Sequence, residues 1–501
     1  MESGEDDIGD AKKVYNQILT EIKILVSRIN NELIAVDSPY FGKIVFTPYD
    51  SVTKKPLILY IGKFALMDEE THIPIITDWR APIANLYYEN SGPTNNVSFV
   101  APVGKRSGDL KQKRQFQISR ARIKGIYDAK SGNAAADEFL LAQLNERLGQ
   151  KLQDIVSTIQ AQQNDIIREE INKPVLIQGV AGSGKTTILL HRLAYLFYTY
   201  KEQIKSENSL IIAPNQMFID YVSDVLPNLG VEKVETLTYM FWGKKVLGWN
   251  DNYTVSPLEE NLEIKEFKGS VEFMSILDKY FEEFEDKLLS EIPYSHKERI
   301  IRRYKELKDE FPNIDMPERL DLAVDYAFAQ KQFESARTGQ IDTYFNNEIE
   351  KKKEILSYFS KNVNIYNLYK KLFKSNLLDS KYKEYSIKAL SVKGKNTFYR
   401  IEDLAPMVYL HQKIYGRKSS ERDYIMVDEA QDISYIQLAT LASVAKNGNL
   451  TIAGDLAQSI IPPFYIKNWQ TVLDLVDSIT AKQTSFHQLQ RCYRATVEVI
   501  D

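Results

Sequence analysis

The apolar positions change their spacing several times along the chain, and each change marks a new kind of element. Val14, Ile18, Ile22, Leu25, Ile29, Leu33 and Val36 recur three and four residues apart, which predicts a helix over 11–36 with one apolar face. That face suits either half of a helical hairpin or a helix packed on a domain. From Tyr40 to about residue 128 the pattern turns β-like, with short apolar runs at Lys43–Thr47, Leu57–Gly62, Ile73–Thr77 and Val97–Val100. Pro, Gly, Asn and Asp separate them, as they separate strands. Helical spacing returns over 137–170.

A buried-strand candidate at Pro174–Gln178 then leads through a glycine-rich loop into an apolar helix, Thr186–Tyr200. A second strand, Ser209–Ala213, precedes another helix, and this alternation predicts a parallel sheet. Residues 251–400 interrupt it. They are dense in Lys, Glu, Phe and Tyr, and helical periods run over 272–308 and 345–374. They read as a helical insertion, because the strand signal resumes at Asp423–Val427 and Leu450–Ala453.

Composition adds limits. A chain of 501 residues exceeds what one core usually holds, so about two to four domains are expected. With 44% apolar and 26% charged residues it reads as a soluble globular protein. The net charge of −4 gives no overall basic field, so any nucleic-acid contact has to be local. The one cysteine, Cys492, excludes an internal disulfide and fits a reducing cytosol,. No apolar run reaches membrane-spanning length, and the acidic start (Glu2, Glu5, Asp6, Asp7, Asp10) lacks a signal peptide's basic region,. A cytoplasmic protein with no membrane contact is the expectation.

The chemistry concentrates in two motifs. Gly179-Val180-Ala181-Gly182-Ser183-Gly184-Lys185-Thr186 matches G-x-x-x-x-G-K-[ST] and sits between strand and helix, where a phosphate loop belongs. Its backbone N–H groups, with Thr187 at the helix start, would cradle the phosphates of ATP. Lys185, expected on an exposed, ligand-facing loop, would reach the β- and γ-phosphates, and the Thr186 hydroxyl would bind Mg²⁺. Downstream, the apolar strand at Tyr424–Val427 ends in Asp428-Glu429-Ala430-Gln431-Asp432. Two adjacent acids there suit a Walker B site, with Asp428 on Mg²⁺ and Glu429 polarising the attacking water.

The order of these motifs, followed by Gly454-Asp455-Leu456-Ala457-Gln458 and Tyr493-Arg494, resembles motifs I to IV of UvrD-like superfamily 1 helicases. The resemblance implies a RecA-like α/β domain binding ATP and Mg²⁺. It assigns γ-phosphate sensing to Gln431 and Gln458, and an arginine finger to Arg494. It also places an adenine-reading glutamine at Gln163, with Gln160 as a competitor. Ala213-Pro214-Asn215 is similar to motif Ia and Thr236-Leu237-Thr238 to motif Ib, loops that contact single-stranded nucleic acid in that class. Phe218, Tyr239, Phe241 and Trp242 lie beside them, as stacking platforms or as core.

The first 150 residues carry a further resemblance. Ser38-Pro39-Tyr40-Phe41-Gly42-Lys43-Ile44, Tyr60-Ile61-Gly62, Asp78-Trp79-Arg80-Ala81-Pro82-Ile83-Ala84 and Leu110–Phe116 are similar to HelD-type proteins. Glu402-Asp403-Leu404-Ala405-Pro406 and Tyr415-Gly416 lead into Walker B in the same way. This implies an ATP-driven factor that binds core RNA polymerase and frees it from DNA or RNA, with residues 1–36 as one arm and the insertion as another. The chain has room for one helix, not two, before Ser38, and it stops at Asp501, before motifs V and VI. Nucleotide binding is therefore a firmer expectation than turnover.

The resulting division is a helix over 1–36, a small mixed domain over 37–135, an ATPase domain over 136–250 and 401–501, and the insertion over 251–400. A basic segment, 105–124, reads first as a solvated strand pair and second as a phosphate- or polymerase-facing surface. Arg192 and Cys492 receive no chemistry. Two alternatives stand beside the polymerase motor: a 3′–5′ DNA helicase, and a shortened non-catalytic binding module.

Overall fold

The computed structural model describes residues 36–129 apart from 51–54 and 72, Val156, 159–249 apart from 181 and 232, 253–256, 261–389 apart from 295–296 and 338–343, and 397–489 apart from 459–465. Of the first helix it also describes 18, 22, 25, 26, 29 and 33. Two compact units emerge. One gathers Met1–Ile171, Thr186–Glu207 and Asp220–Val234; the other gathers Asn172–Lys185, Asn208–Ile219 and Glu235–Asp501.

The first unit is built on seven strands: β1 (Gly42–Pro48), β2 (Leu57–Gly62), β3 (Leu66–Met67), β4 (Pro74–Asp78), β5 (Thr94–Ala101), β6 (Gly104–Ser119) and β7 (Arg122–Asp128). Their order is β3-β4-β2-β1-β6-β5, with β7 also on β6. Among the described residues of this sheet, only β2 and β4 pair in parallel. One face buries Ile44, Phe46, Ile61 and Leu110 beneath Leu86 and Tyr87 of a short helix, Asn85–Glu89. The basic segment is the β6–β7 hairpin, as its strand-pair reading anticipates. Arg120 and Ala121 turn it with φ of 51° and 57°, the left-handed pair that a two-residue hairpin needs. Neither is Gly or Asn. Asp37 compensates by accepting the Arg120 amide at 2.7 Å and the Ala121 amide at 2.9 Å. Arg106, Lys111 and Arg114 are spent on Asp50, Asp109 and Asp128.

The described apolar positions of the first helix, Ile18 to Val36, are between 49% and 67% exposed. Residues 1–17 and 137–155, with the acidic start, lie outside the described residues.

The second unit holds the parallel sheet, built from β8 (Val175–Gly179), β9 (Ser209–Ile212), β10 (Glu235–Leu237), β13 (Tyr424–Val427), β14 (Leu450–Gly454) and β15 (Ser485–Leu489). Their order is β10-β9-β13-β14-β8-β15. β9, β13 and β14 are buried along their whole length, which explains their continuous rather than alternating apolar runs. A further parallel pair, β11 (Tyr253–Ser256) with β12 (Thr397–Arg400), brackets the insertion.

Between them lie helices Leu262–Lys268, Val271–Ser290, Lys297–Glu310, Met316–Arg337, Tyr344–Asn362, Ile365–Leu372 and Ser380–Ala389. The two long helices expected over 272–308 and 345–374 are each divided. Ile292-Pro293 breaks the first, because proline has no N–H to continue the ladder. Asn364 restarts the second by accepting the Asn367 amide,. The insertion is tied to helix Ile401–Tyr415 by Asp403, fully buried, which receives Lys268 Nζ and the Tyr369 hydroxyl at 2.6 Å each.

Candidate functional site: a phosphate loop and a carboxylate network

The phosphate loop grows from the C-terminal end of β8. Gly182 and Gly184 turn it with φ of 73° and 87°, values L side chains rarely adopt. A Cβ on Gly179 would collide with Ser183 Oγ and come within 3.0 Å of Lys185 Cγ. The sequence argument puts Lys185 on an exposed loop, and here the structure differs. Its side chain is only 7% exposed, and Nζ donates to the carbonyls of Gly179 at 2.7 Å and Val180 at 3.3 Å. A buried ammonium needs acceptors, and the loop's own carbonyls supply them. Ser183 Oγ is buried with no partner. An orphaned hydroxyl and an ammonium, both beside glycines that leave no side chain in the way, fit an anionic phosphate. Helix Lys185–Thr199 starts here, with Thr186 and Thr187 half-buried in its first turn. Ala181 lies outside the described residues.

Asp428 follows β13 and is buried. Its Oδ1 accepts the Glu429 amide at 2.9 Å. Glu429 has φ 50° and ψ 45°, a left-handed conformation that costs of order 1 kcal/mol for a non-glycine residue. Three contacts hold it there: the amide just named, Gln431 Nε2 donating to Glu429 Oε2 at 2.8 Å, and the Glu429 carbonyl accepting the Asp432 amide at 3.0 Å. The other end of Gln431 accepts the Asp455 amide at 2.8 Å. Asp455, 1% exposed, then collects donors on its carboxylate: Gln178 Nε2 at 3.1 Å, the Ala457 amide at 3.1 Å, and Gln458 Nε2. Gln178 Oε1 accepts Trp469 Nε1.

The strand order places β14 between β13 and β8, so Walker B, the Gly454–Gln458 segment and the phosphate loop leave adjacent strand ends. That is where parallel α/β sheets gather ligands. Burial, and then the charge of Glu429, raise the Asp432 carboxyl above the usual range. Among the described residues no three His, Cys, Asp or Glu form a metal cage, so a cation here would take phosphate and water as further ligands, as Mg²⁺ does.

The family model for the N-terminal domain of DNA helicase IV HelD matches residues 9–138, and one for an AAA domain matches 162–462, more than half of the chain. The chain is a HelD-type helicase-like protein. No curated protein matches it significantly.

The other expected residues of this HelD-type chain fall as follows. In the second unit, the Ala213 amide donates to the Leu237 carbonyl at 2.9 Å, so the two loops expected to meet nucleic acid leave β9 and β10 side by side. Pro214 and Asn215 are exposed, and Phe218, Thr236 and Thr238 half-buried. Asn215 and Thr238 cap helices by accepting the Phe218 and Phe241 amides. The aromatics divide between the two readings: Tyr239 and Trp242 are core, while Phe241 is 51% exposed. In the first unit, helix Ala161–Arg168 opens with a capping box in which Gln163 Oε1 accepts the Gln160 amide at 3.2 Å. One lobe of the expected adenine reader is thereby engaged. Tyr493, Arg494 and Cys492 lie outside the described residues.

Sequence reasoning missed Gln178, Asp455 and Trp469 as members of the network. Asp455 stood inside a quoted motif, but neither Gln178 nor Trp469 carries a local signal.

The Asp-Trp-Arg-Ala-Pro block proves to be a joint within the first unit. Asp78 and Arg80 form a buried bidentate pair at 2.7 and 2.9 Å, and Arg80 also donates to the Leu229 carbonyl at 3.1 Å. Arg168 donates to the Trp79 and Arg80 carbonyls at 2.5 and 3.3 Å. Trp79 packs edge-on against His191, 5.6 Å between centroids, on the helix that follows the phosphate loop. Arg192 donates to the Ile166 and Glu169 carbonyls at 2.9 and 2.6 Å, closing the end of helix Ala161–Arg168.

His191 gives this joint a pH signature. Its Nδ1 donates to the Thr187 carbonyl at 2.7 Å, its Nε2 is buried and unpartnered, and burial pulls its pKa down to about 4. The unfolded chain, with histidine near 6.5, then binds more protons than the folded one between these values. Stability is complete above pH 6.5 and falls as pH drops toward 4, by up to about 3 kcal/mol from this group. Urea midpoints measured from pH 4 to 8 should show a steeper acid loss for the native chain than for His191→Leu. Parallel curves would exclude a buried neutral His191.

Proposed function

We propose that this chain is an ATP-dependent motor of HelD type that binds core RNA polymerase and uses ATP to release it from nucleic acid. The observation that carries the nucleotide part is the continuous polar network from Glu429 through Gln431 and Asp455 to Gln458, on strand ends adjacent to the phosphate loop. The HelD N-terminal match supports polymerase as the partner.

Bound Mg²⁺ would neutralise charge on the β- and γ-phosphates, and we assign Thr186 and Asp428 to it. Lys185, with Gly179, Val180, Gly182, Ser183 and Gly184, holds the phosphates. Glu429, fixed by Gln431, takes the proton of the attacking water. Gln458 senses the γ-phosphate, and Arg494 is assigned as the finger. Pro214, Asn215, Phe218, Thr236 and Thr238 are assigned to single-stranded nucleic acid. No described helix is long and apolar enough to cross a membrane, and we place the protein in the cytoplasm with its partner.

Co-elution with purified bacterial core polymerase on gel filtration, with and without a non-hydrolysable ATP analogue, tests the reading. A shared peak is expected. Separate peaks, together with unwinding of a 3′-tailed DNA duplex, would favour the 3′–5′ helicase instead.

A further inference from the structure

We propose that Gln178 is a positioning residue for ATP hydrolysis, acting with Trp469 to fix Asp455 and, through it, both the sensor Gln458 and the Gln431–Glu429 arm. This rests on the nucleotide-motor reading above. Gln178 is the residue immediately before Gly179, on the strand that delivers the phosphate loop. Its side chain leaves that strand sideways. Nε2 donates to Asp455 Oδ1 at 3.1 Å, while Oε1 accepts Trp469 Nε1. The indole N–H therefore fixes which end of the amide faces Asp455, and a flipped amide would set two acceptors against each other.

Asp455 is nearly fully buried and its carboxylate receives three donors, so its rotamer is over-determined. Its Oδ2 receives Gln458 Nε2, its Oδ1 receives Gln178 and the Ala457 amide, and its own amide holds Gln431 Oε1. Packing closes the same corner. A Cβ on Gly454 would come within 2.8 Å of Gln431 Oε1 and 2.9 Å of Trp469 Cη2, so the glycine lets indole and amide meet over the strand end. A movement of the phosphate-loop strand thus reaches the water-polarising side through one amide.

The test uses the full chain with Gln178→Met, which keeps length and removes both bonds, and Trp469→Phe, which keeps the ring and removes the donor. In Gln178→Met, kcat should fall at least about 10-fold while affinity for Mg-ADP stays within about 3-fold. Trp469→Phe should fall less, and the double variant no further than Gln178→Met, since both act through one amide. A kcat within about 2-fold of the native value, or single effects that multiply in the double variant, would overturn the proposal.

A second readout does not need turnover. The Trp469 emission, taken as the difference between the native chain and Trp469→Phe, should change on saturation with a non-hydrolysable Mg-ATP analogue and stop changing in Gln178→Met. If the analogue binds and that difference signal is silent, the coupling is refuted and the motor reading stands. If the native chain binds no nucleotide, both fall.

Discussion

Lys185→Ala is expected to lower affinity for Mg-ATP by at least about 100-fold while leaving the urea midpoint nearly unchanged. The ammonium is the one cation among the described loop residues, and it is already drawn into the loop by the Gly179 and Val180 carbonyls. A phosphate competes for it on favourable terms, because a charge-assisted bond to an oxyanion is stronger than one to a neutral carbonyl. Alanine removes that charge and leaves the positive helix end alone to hold the nucleotide. The fold is spared because Lys185 bridges only residues of its own loop. Isothermal titration with Mg-ATP analogue, run beside urea unfolding, separates the two effects. Native affinity in a folded Lys185→Ala chain would remove the phosphate-loop assignment.

What the sequence made legible follows from how local each signal is. The parallel sheet was legible because β8, β9, β13 and β14 are buried on both faces and carry nearly unbroken apolar runs. The phosphate loop was legible because its backbone requires glycines at fixed offsets, and Gly182 and Gly184 adopt those left-handed angles. The lengths of β6 and β7 were not, since the turn between them is Arg120-Ala121 and its strain is offset by Asp37, 83 residues away. The same distance effect hid the network. Gln178 meets Asp455 at a separation of 277 residues and Trp469 at 291, and nothing in the local pattern of either announces a partner. Lys185 was misplaced for a different reason. A motif says what a lysine does when phosphate is present, but the carbonyls that hold it otherwise are backbone atoms common to every sequence.

Glu429→Gln should lower kcat by about 10²- to 10⁴-fold with nucleotide affinity within about 3-fold. The substitution is nearly isosteric. Its side-chain oxygen can still accept Gln431 Nε2, and the Asp428 carboxylate can still hold the residue-429 amide, so the left-handed backbone survives. What is lost is the carboxylate's capacity to take a proton from water. Glu429→Ala makes a second comparison possible. It removes the base and also leaves Gln431 Nε2 without its acceptor, which frees the amide that positions Asp455. If the base acts alone, the two variants should turn over equally slowly. If the network shares in catalysis, Glu429→Ala should be slower than Glu429→Gln by a further few-fold and should silence the Trp469 response, which Glu429→Gln should keep. Steady-state turnover and fluorescence on the same three proteins distinguish these cases. Native turnover in Glu429→Gln would mean that the water is activated by another group, and the strained conformation of Glu429 would then need a different explanation.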